Sequence, residues 1–209
     1  TSLGSSNIDC RQDGAKLEAG PRGGYIFNPG VRGVGAAEAI LLVGSNPRWE
    51  SPVLNARIRK RYLHGGCAVA SIGPAVDLTY PVERLGAGPA TLRELVDGKL
   101  GFFEKLKAAS KPLIVVGMGA LAREDGAAVL ALVRELAEKL NAVRDDWNGF
   151  AILHTAAARV GALDLGMVPG DRGRGVAGIL AGCEKREIEA VYLLAADEID
   201  TARLGKAFV

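Results

Sequence analysis

Five apolar residues in a row, Ala39-Ile40-Leu41-Leu42-Val43, run directly into Gly44-Ser45-Asn46-Pro47-Arg48. An uninterrupted apolar run of strand length indicates a strand covered on both faces, as in a parallel sheet. Gly44 ends the run, Asn46 can bond its own backbone, and Pro47 holds Asn46 in an extended or turn conformation. Ser51 fits a helix N-cap with Pro52 at the first helical position. Leu54, Ile58 and Tyr62 then share one face of a helix predicted over 53–64, with Arg57, Lys60, Arg61 and His64 on the other. A second apolar strand is predicted over 67–72. Strand, loop and helix make half of a βαβ unit.

Such a unit places helix N–H groups and a partial positive charge at the carboxyl end of a strand. Gly44, Ser45, Asn46 and Arg48 are the candidate lining residues of an anion site. The competing reading is a well-made turn beside a solvated basic face, and spacing alone favours the turn.

The rest of the chain continues the alternation. Residues 1–35 are expected to be an irregular segment packing on the sheet, with Tyr25-Ile26-Phe27 as an apolar anchor, and 36–209 to form the α/β domain. Residues 77–89 read as a loop. Thr91 and Glu94 suit a capping box for a helix reaching Asp97. A further helix is expected over 102–109 and a strand over 113–116. Gly117-Met118-Gly119 follows that strand but lacks the third glycine of a dinucleotide fingerprint, so a structural turn is preferred. The helix over 125–141 carries the clearest apolar stripe, Val129, Leu132, Val133, Leu136 and Leu140, with Glu135 and Lys139 paired on its surface. Later expectations are a helix over 149–163, a glycine-rich loop over 164–175 and a helix over 176–185. A strand over 190–194, a short helix at Thr201–Leu204 and a strand start over 207–209 complete them. Strands alternating with helices imply an α/β architecture with a mostly parallel sheet, whose ligand loops lie at the strands' carboxyl ends: 44–51, 73–77, 117–125 and 195–200.

Composition excludes several classes. With a net charge of +2 and 5% aromatic residues, the chain lacks a nucleic-acid footprint. No apolar run approaches the roughly 20 residues of a membrane-spanning helix, so direct membrane insertion is not expected. Cys10, Cys67 and Cys183 are far apart and form no Cys-x-x-Cys, which argues against a locally built zinc or iron–sulphur site and fits a reducing compartment. His64 and His154 have no metal-type neighbours. The start, Thr1-Ser2-Leu3-Gly4-Ser5-Ser6, is polar and lacks Met, and the chain is expected to be a piece of something longer.

Gly44-Ser45-Asn46-Pro47-Arg48, followed by Leu54-Asn55-Ala56-Arg57-Ile58-Arg59-Lys60, resembles a known family. It is that of the large iron–sulphur subunits of NADH–quinone oxidoreductase (respiratory complex I), in their carboxyl-terminal, molybdopterin-oxidoreductase-like part. Ser6-Asn7-Ile8-Asp9-Cys10-Arg11, Asp77-Leu78-Thr79-Tyr80, Asp125-Gly126-Ala127-Ala128, Ala162-Leu163-Asp164-Leu165-Gly166 and Leu193-Leu194-Ala195-Ala196-Asp197-Glu198 extend the resemblance along nearly the whole chain. It points to the α-proteobacterial and mitochondrial branch.

The resemblance implies a Rossmann-like three-layer α/β fold with a mostly parallel sheet. It also implies membership of a complex that passes electrons from NADH to quinone and pumps protons. The iron–sulphur clusters are expected in the amino-terminal part of such subunits, with none in this stretch. Related molybdenum enzymes hold a pterin guanine dinucleotide with a Gly-x-Asn-Pro loop, which Gly44, Asn46 and Pro47 match. The complex I branch carries no such cofactor, so Gly44, Ser45, Asn46, Pro47 and Arg48 are expected to form a vestigial site. The implied partners are other peripheral-arm subunits, and the implied location is the cytoplasmic side of the bacterial inner membrane or the mitochondrial matrix side. Against a structural and assembly role stand two alternatives: a residual nucleotide- or pterin-binding module on the Gly44 loop, and an independent dehydrogenase using Gly117 and Gly119.

Overall fold

The computed structural model describes residues 4–196 and 198–209. The chain divides into two compact units, Pro21–Thr155 and the described residues up to Gly20 together with Ala156–Val209.

The first unit is built on a five-stranded sheet. It begins with a 3₁₀ turn, Arg22–Gly24, and helix α1, Gly30–Val34. Strand β1, Ala39–Val43, is followed by a four-residue helix α2, Pro47–Glu50, and by α3, Pro52–Leu63. Strands β2, Ala68–Ile72, and β3, Glu83–Gly86, precede helices α4, Pro89–Val96, and α5, Phe102–Ala108. Strand β4, Pro112–Gly117, leads into α6, Met118–Leu121, and α7, Gly126–Lys139. A small antiparallel ribbon, β5, Val143–Arg144, and β6, Trp147–Asn148, precedes the last strand of the large sheet, β7, Phe150–Leu153.

The sheet order is β3-β2-β1-β4-β7 and every pairing in it is parallel. Strand β1 is central and buried along its whole length, as its unbroken apolar run requires. Ile40, Leu42, Val69, Leu113 and Val115 face one core, closed by Leu54 and Ile58 of α3, Val34 of α1, and Trp147. Their alternating neighbours, including Leu41 and Ile114, point to the opposite face. There α5 packs on β1 and α4 packs on α7. Helices on both faces make the fold a Rossmann-like three-layer α/β structure. Tyr25 is buried, Ile26 O accepts from Ile152 N at 3.1 Å, and Phe27 bridges Ala151, so the aromatic anchor lies on β7.

Three expectations in this unit need correction. The helix predicted over 149–163 is strand β7 followed by a separate later helix. Phe150–Leu153 is a short apolar run, which periodicity cannot assign, and pairing with β4 makes it a strand. Gly149 permits that pairing: a Cβ there would lie 1.9 Å from Pro112 O. The 77–89 loop contains β3, an exposed edge strand whose Glu-Arg-Leu-Gly sequence carries no strand signal. Helix α4 starts at Pro89, with Gly88 at the N-cap and no side-chain cap bond, so Thr91 and Glu94 form no capping box. Ser51 does occupy the N-cap of α3, but its side chain makes no cap bond.

The second unit holds α8, Arg159–Asp164, α9, Val176–Glu184, and a 3₁₀ turn, Thr201–Leu204. Leu180, Cys183 and Leu204 form its small core. The strand expected over 190–194 is reduced to one parallel bridge, Ala190 to Phe208, as is the strand start over 207–209. With only a single bridge to pair against, neither run propagates a ladder. The stretch 6–11 ties down the glycine-rich segment 164–175. Cys10 N donates to Met167 O at 3.0 Å, Gly170 N to Ser6 O at 3.2 Å, and Arg174 N to Asn7 Oδ1 at 2.8 Å. Asp9 Oδ2 accepts from Val176 N at 3.2 Å at the start of α9. Arg159, buried to 2% exposure, is paired with Asp13 at 2.9 Å. Asp197, within the 193–198 stretch, lies outside the described residues, as do Thr1, Ser2 and Leu3.

Candidate functional site at the carboxyl edge of the sheet

In this strand order the chain goes one way from β1 to β2 and the other way from β1 to β4. The carboxyl ends of β1 and β4 therefore flank the topological switch point where α/β folds bind ligands. The loops there are Gly44 to Asn46 and Gly117 to Gly119.

The two loops meet backbone to backbone. Gly44 adopts φ +57°, and its N–H donates to Ile72 O at 2.9 Å. A Cβ on Gly44 would lie 2.5 Å from Ala120 Cβ and 2.6 Å from Ala120 N. A Cβ on Gly117 would lie 2.6 Å from Gly44 O, and one on Gly119 2.8 Å from the same oxygen. These glycines are needed because the two loops pack backbone to backbone, which gives Gly117-Met118-Gly119 a packing role.

The polar groups of the β1 loop are likewise engaged by the chain itself. Ser45 Oγ donates to Glu50 Oε2 at 2.8 Å, and Asn46 N donates to Glu50 Oε1 at 2.8 Å. Asn46 O accepts from Trp49 N and Glu50 N. Glu50 thus reaches back over the first turn of α2, as the acidic residue of a capping box does. Its carboxylate takes the donors that a phosphate would require. Arg48 Nη1 is paired with Asp77 Oδ2 at 2.7 Å and also donates to Asp77 O. That pairing, with the Thr79 N–H, holds the Asp77 carboxyl below the usual range, the backbone N–H being the larger cause. Pro47 is buried at the first position of α2.

Asn46 departs from expectation in one respect. The sequence suggests an Asn46 side chain bonded to its own backbone, yet Oδ1 is buried with no hydrogen-bond partner among the described residues. The backbone N–H and C=O of Asn46, rather than its amide group, fix the loop.

Other sequence candidates are placed in structural roles. His64 Nδ1 lies 2.7 Å from Lys60 O, and His154 Nε2 lies 2.5 Å from Tyr25 O. Cys67 and Cys183 are buried, all three cysteines are free, and burial pushes the Cys10 and Cys67 thiols up. Among the described residues, no three His, Cys, Asp or Glu side chains are grouped to hold a metal ion. No helix among them is long and apolar enough to cross a membrane.

Sequence reasoning missed Glu50 and Asp77. Glu50 was legible as a carboxylate four residues after an Asn-Pro helix start. Asp77 is 29 residues from Arg48, and only the fold brings them together.

The same loops help line a pocket of about 280 Å³, between the carboxyl ends of β1 and β2 and the starts of α4 and α7. Gly73, Gly88, Leu92, Gly119, Arg123 and Val129 line it, so it is mainly apolar with one cation at its edge. Arg123 is paired with Asp125 at 2.6 Å.

At loop 44–48 the Gly44, Gly117 and Gly119 backbones approach closely, and the Glu50 carboxylate takes the Ser45 hydroxyl and the Asn46 N–H as donors.

The family model for molybdopterin oxidoreductase matches residues 1–209. An NADH-quinone oxidoreductase subunit from Rickettsia bellii is 40% identical over 207 residues, 99% of this chain and 29% of that protein. The mitochondrial NADH dehydrogenase [ubiquinone] iron-sulfur protein 1 of Solanum tuberosum is 41% identical over 209 residues, 99% of this chain and 27% of that protein. The 75 kDa subunit of NADH-ubiquinone oxidoreductase of Reclinomonas americana is 42% identical over 203 residues, 97% of this chain and 29% of that protein. A solved formyltransferase/hydrolase complex from Methylorubrum extorquens has a TM-score of 0.41 at 22% identity, over 65% of this chain and 43% of that one, too low to carry an argument. The chain spans less than a third of the length of the curated relatives it matches. It belongs to the molybdopterin oxidoreductase family, within the branch formed by the large iron–sulphur subunits of bacterial NADH-quinone oxidoreductase and their mitochondrial counterparts.

Proposed function

We propose that this chain is a structural and assembly domain of the large iron–sulphur subunit of NADH–quinone oxidoreductase, with no redox centre of its own. The parent complex moves electrons from NADH to quinone and couples this to proton translocation. The iron–sulphur clusters belong to other parts of the subunit. The partners are neighbouring subunits of the peripheral arm, on the cytoplasmic or matrix side of the membrane. One observation carries the reading. The Ser45 hydroxyl, the Asn46 N–H and the Arg48 guanidinium are bound by Glu50 and Asp77, which supports a loop held by the chain's own groups. The purified chain is expected not to oxidise NADH with an artificial acceptor, and deleting it from the full subunit to reduce the yield of assembled complex. NADH oxidation by the chain alone, or full assembly without it, overturns the reading.

The pocket between β1, β2, α4 and α7 favours a second reading, a residual nucleotide- or pterin-binding module. Gly44 lines this pocket, and Arg123 stands at its edge. Under that reading, Arg123→Ala abolishes a saturable calorimetric signal with guanine or adenine nucleotides.

A further inference from the structure

One face of α3 is exposed, with no partner among the described residues. Val53, Ala56, Arg57, Lys60 and Leu63 recur at three- and four-residue intervals and are all exposed, while Leu54 and Ile58 on the opposite face are buried in the core. Val53 is 71% exposed and Leu63 61% exposed. Trp49, in the short helix just before, is 81% exposed. Trp49 lies four residues before Val53 in the sequence, and tryptophan is among the residues enriched in interface hot spots. The charge between the apolar ends is of one sign. Arg48 is neutralised by Asp77, and Arg61 is spent on the carbonyls of Ala37, Gly65 and Gly66. Arg57 and Lys60 have no carboxylate partner among the described residues. Two cations three residues apart on one helix face repel each other weakly, and a carboxylate placed over them would be favourable.

We propose that the Trp49–Val53–Arg57–Lys60–Leu63 face docks an acidic protein segment, with the indole in an apolar recess and the partner's carboxylates over Arg57 and Lys60. Complementarity of charge selects this occupant: a second copy would bring the same two cations against each other. The inference rests on the assembly reading above and adds to it the surface and the chemistry of the contact.

The test uses the tagged full-length subunit in purified NADH–quinone oxidoreductase, with Trp49 replaced by photoreactive p-benzoylphenylalanine. Irradiation is expected to crosslink position 49 to a peptide of another subunit rich in Asp and Glu. Combining R57E with K60E is expected to lower the crosslink yield about tenfold, since like charges across an interface weaken it by at least that factor. If the tagged subunit does not co-purify with the complex, the assembly reading fails and the surface assignment with it. If it does co-purify, four results overturn the surface assignment alone. They are a crosslink to a neutral or basic segment, one to lipid, nucleic acid or a second copy, no crosslink, and a yield indifferent to R57E/K60E.

Discussion

Replacing Glu50 by Ala removes the carboxylate that accepts from Ser45 Oγ and Asn46 N. Hydrogen bonds to a charged group contribute about 1.5–3 kcal/mol each in net terms, and stranding their donors costs a similar amount. Because Ser45 and Asn46 are only half-buried and water can reach their freed donors, Glu50→Ala is expected to destabilise the chain by roughly 1–3 kcal/mol in urea denaturation. No change would show the contact to be incidental. The same reasoning applies to Tyr80, whose buried hydroxyl donates to Asn55 Oδ1 at 2.9 Å, while Asn55 Nδ2 donates to Leu78 O at 3.2 Å. Burial holds the Tyr80 phenol well above its usual pKa. The neutral phenol therefore adds stability that is present below about pH 10 and is lost as pH rises past that value. Denaturation midpoints of the parent should fall between about pH 9 and 11, and Tyr80→Phe should lessen that fall. An equal fall in both would show that the phenol does not ionise against the fold.

Helix α7 was the most legible element of the sequence, because its stripe repeats the helical period along the whole helix. Leu132, Val133, Leu136 and Leu140 are buried as that period requires, and Glu135 pairs with Lys139 at 3.0 Å. Leu136→Ala is expected to cost roughly 2–5 kcal/mol, and a loss below about 1 kcal/mol would contradict a core role. Strand β1 and helix α3 were legible for a similar reason: an apolar run of strand length, a Gly turn and a Pro-led helix agree with one another. Where local signals were silent, tertiary pairing decided. β3 is too exposed and charged to read as a strand, and β7 too short to be told from a buried helix turn. In the candidate site, the glycines and Asn46-Pro47 were visible as a loop. The closure of that loop was not, because it depends on Ala120 and Asp77, both remote in sequence.

At the scale of the whole molecule, pH acts through paired carboxylates. Asp97 beside Lys99, Asp125 beside Arg123, Glu135 beside Lys139 and Glu184 beside Arg203 are all held below the usual carboxylate range. A depressed pKa adds stability that is present above the unfolded value of about 4 and lost as pH falls through the folded value. Melting temperature should thus change little between about pH 6 and 8 and fall steadily below about pH 4, with added salt weakening the effect. A midpoint unchanged in acid would contradict this. All four pairs are solvent-exposed, so the loss should be gradual.

The self-closed loop of β1 is tested most directly by calorimetric titration of the chain with guanine and adenine nucleotides, beside the same titration of Glu50→Gln. With Ser45 and Asn46 already bound by Glu50, the parent should give no saturable heat. Saturable binding by the parent that is lost on Ser45→Ala would show that loop 44–48 still holds a ligand, and would contradict a purely structural role for it.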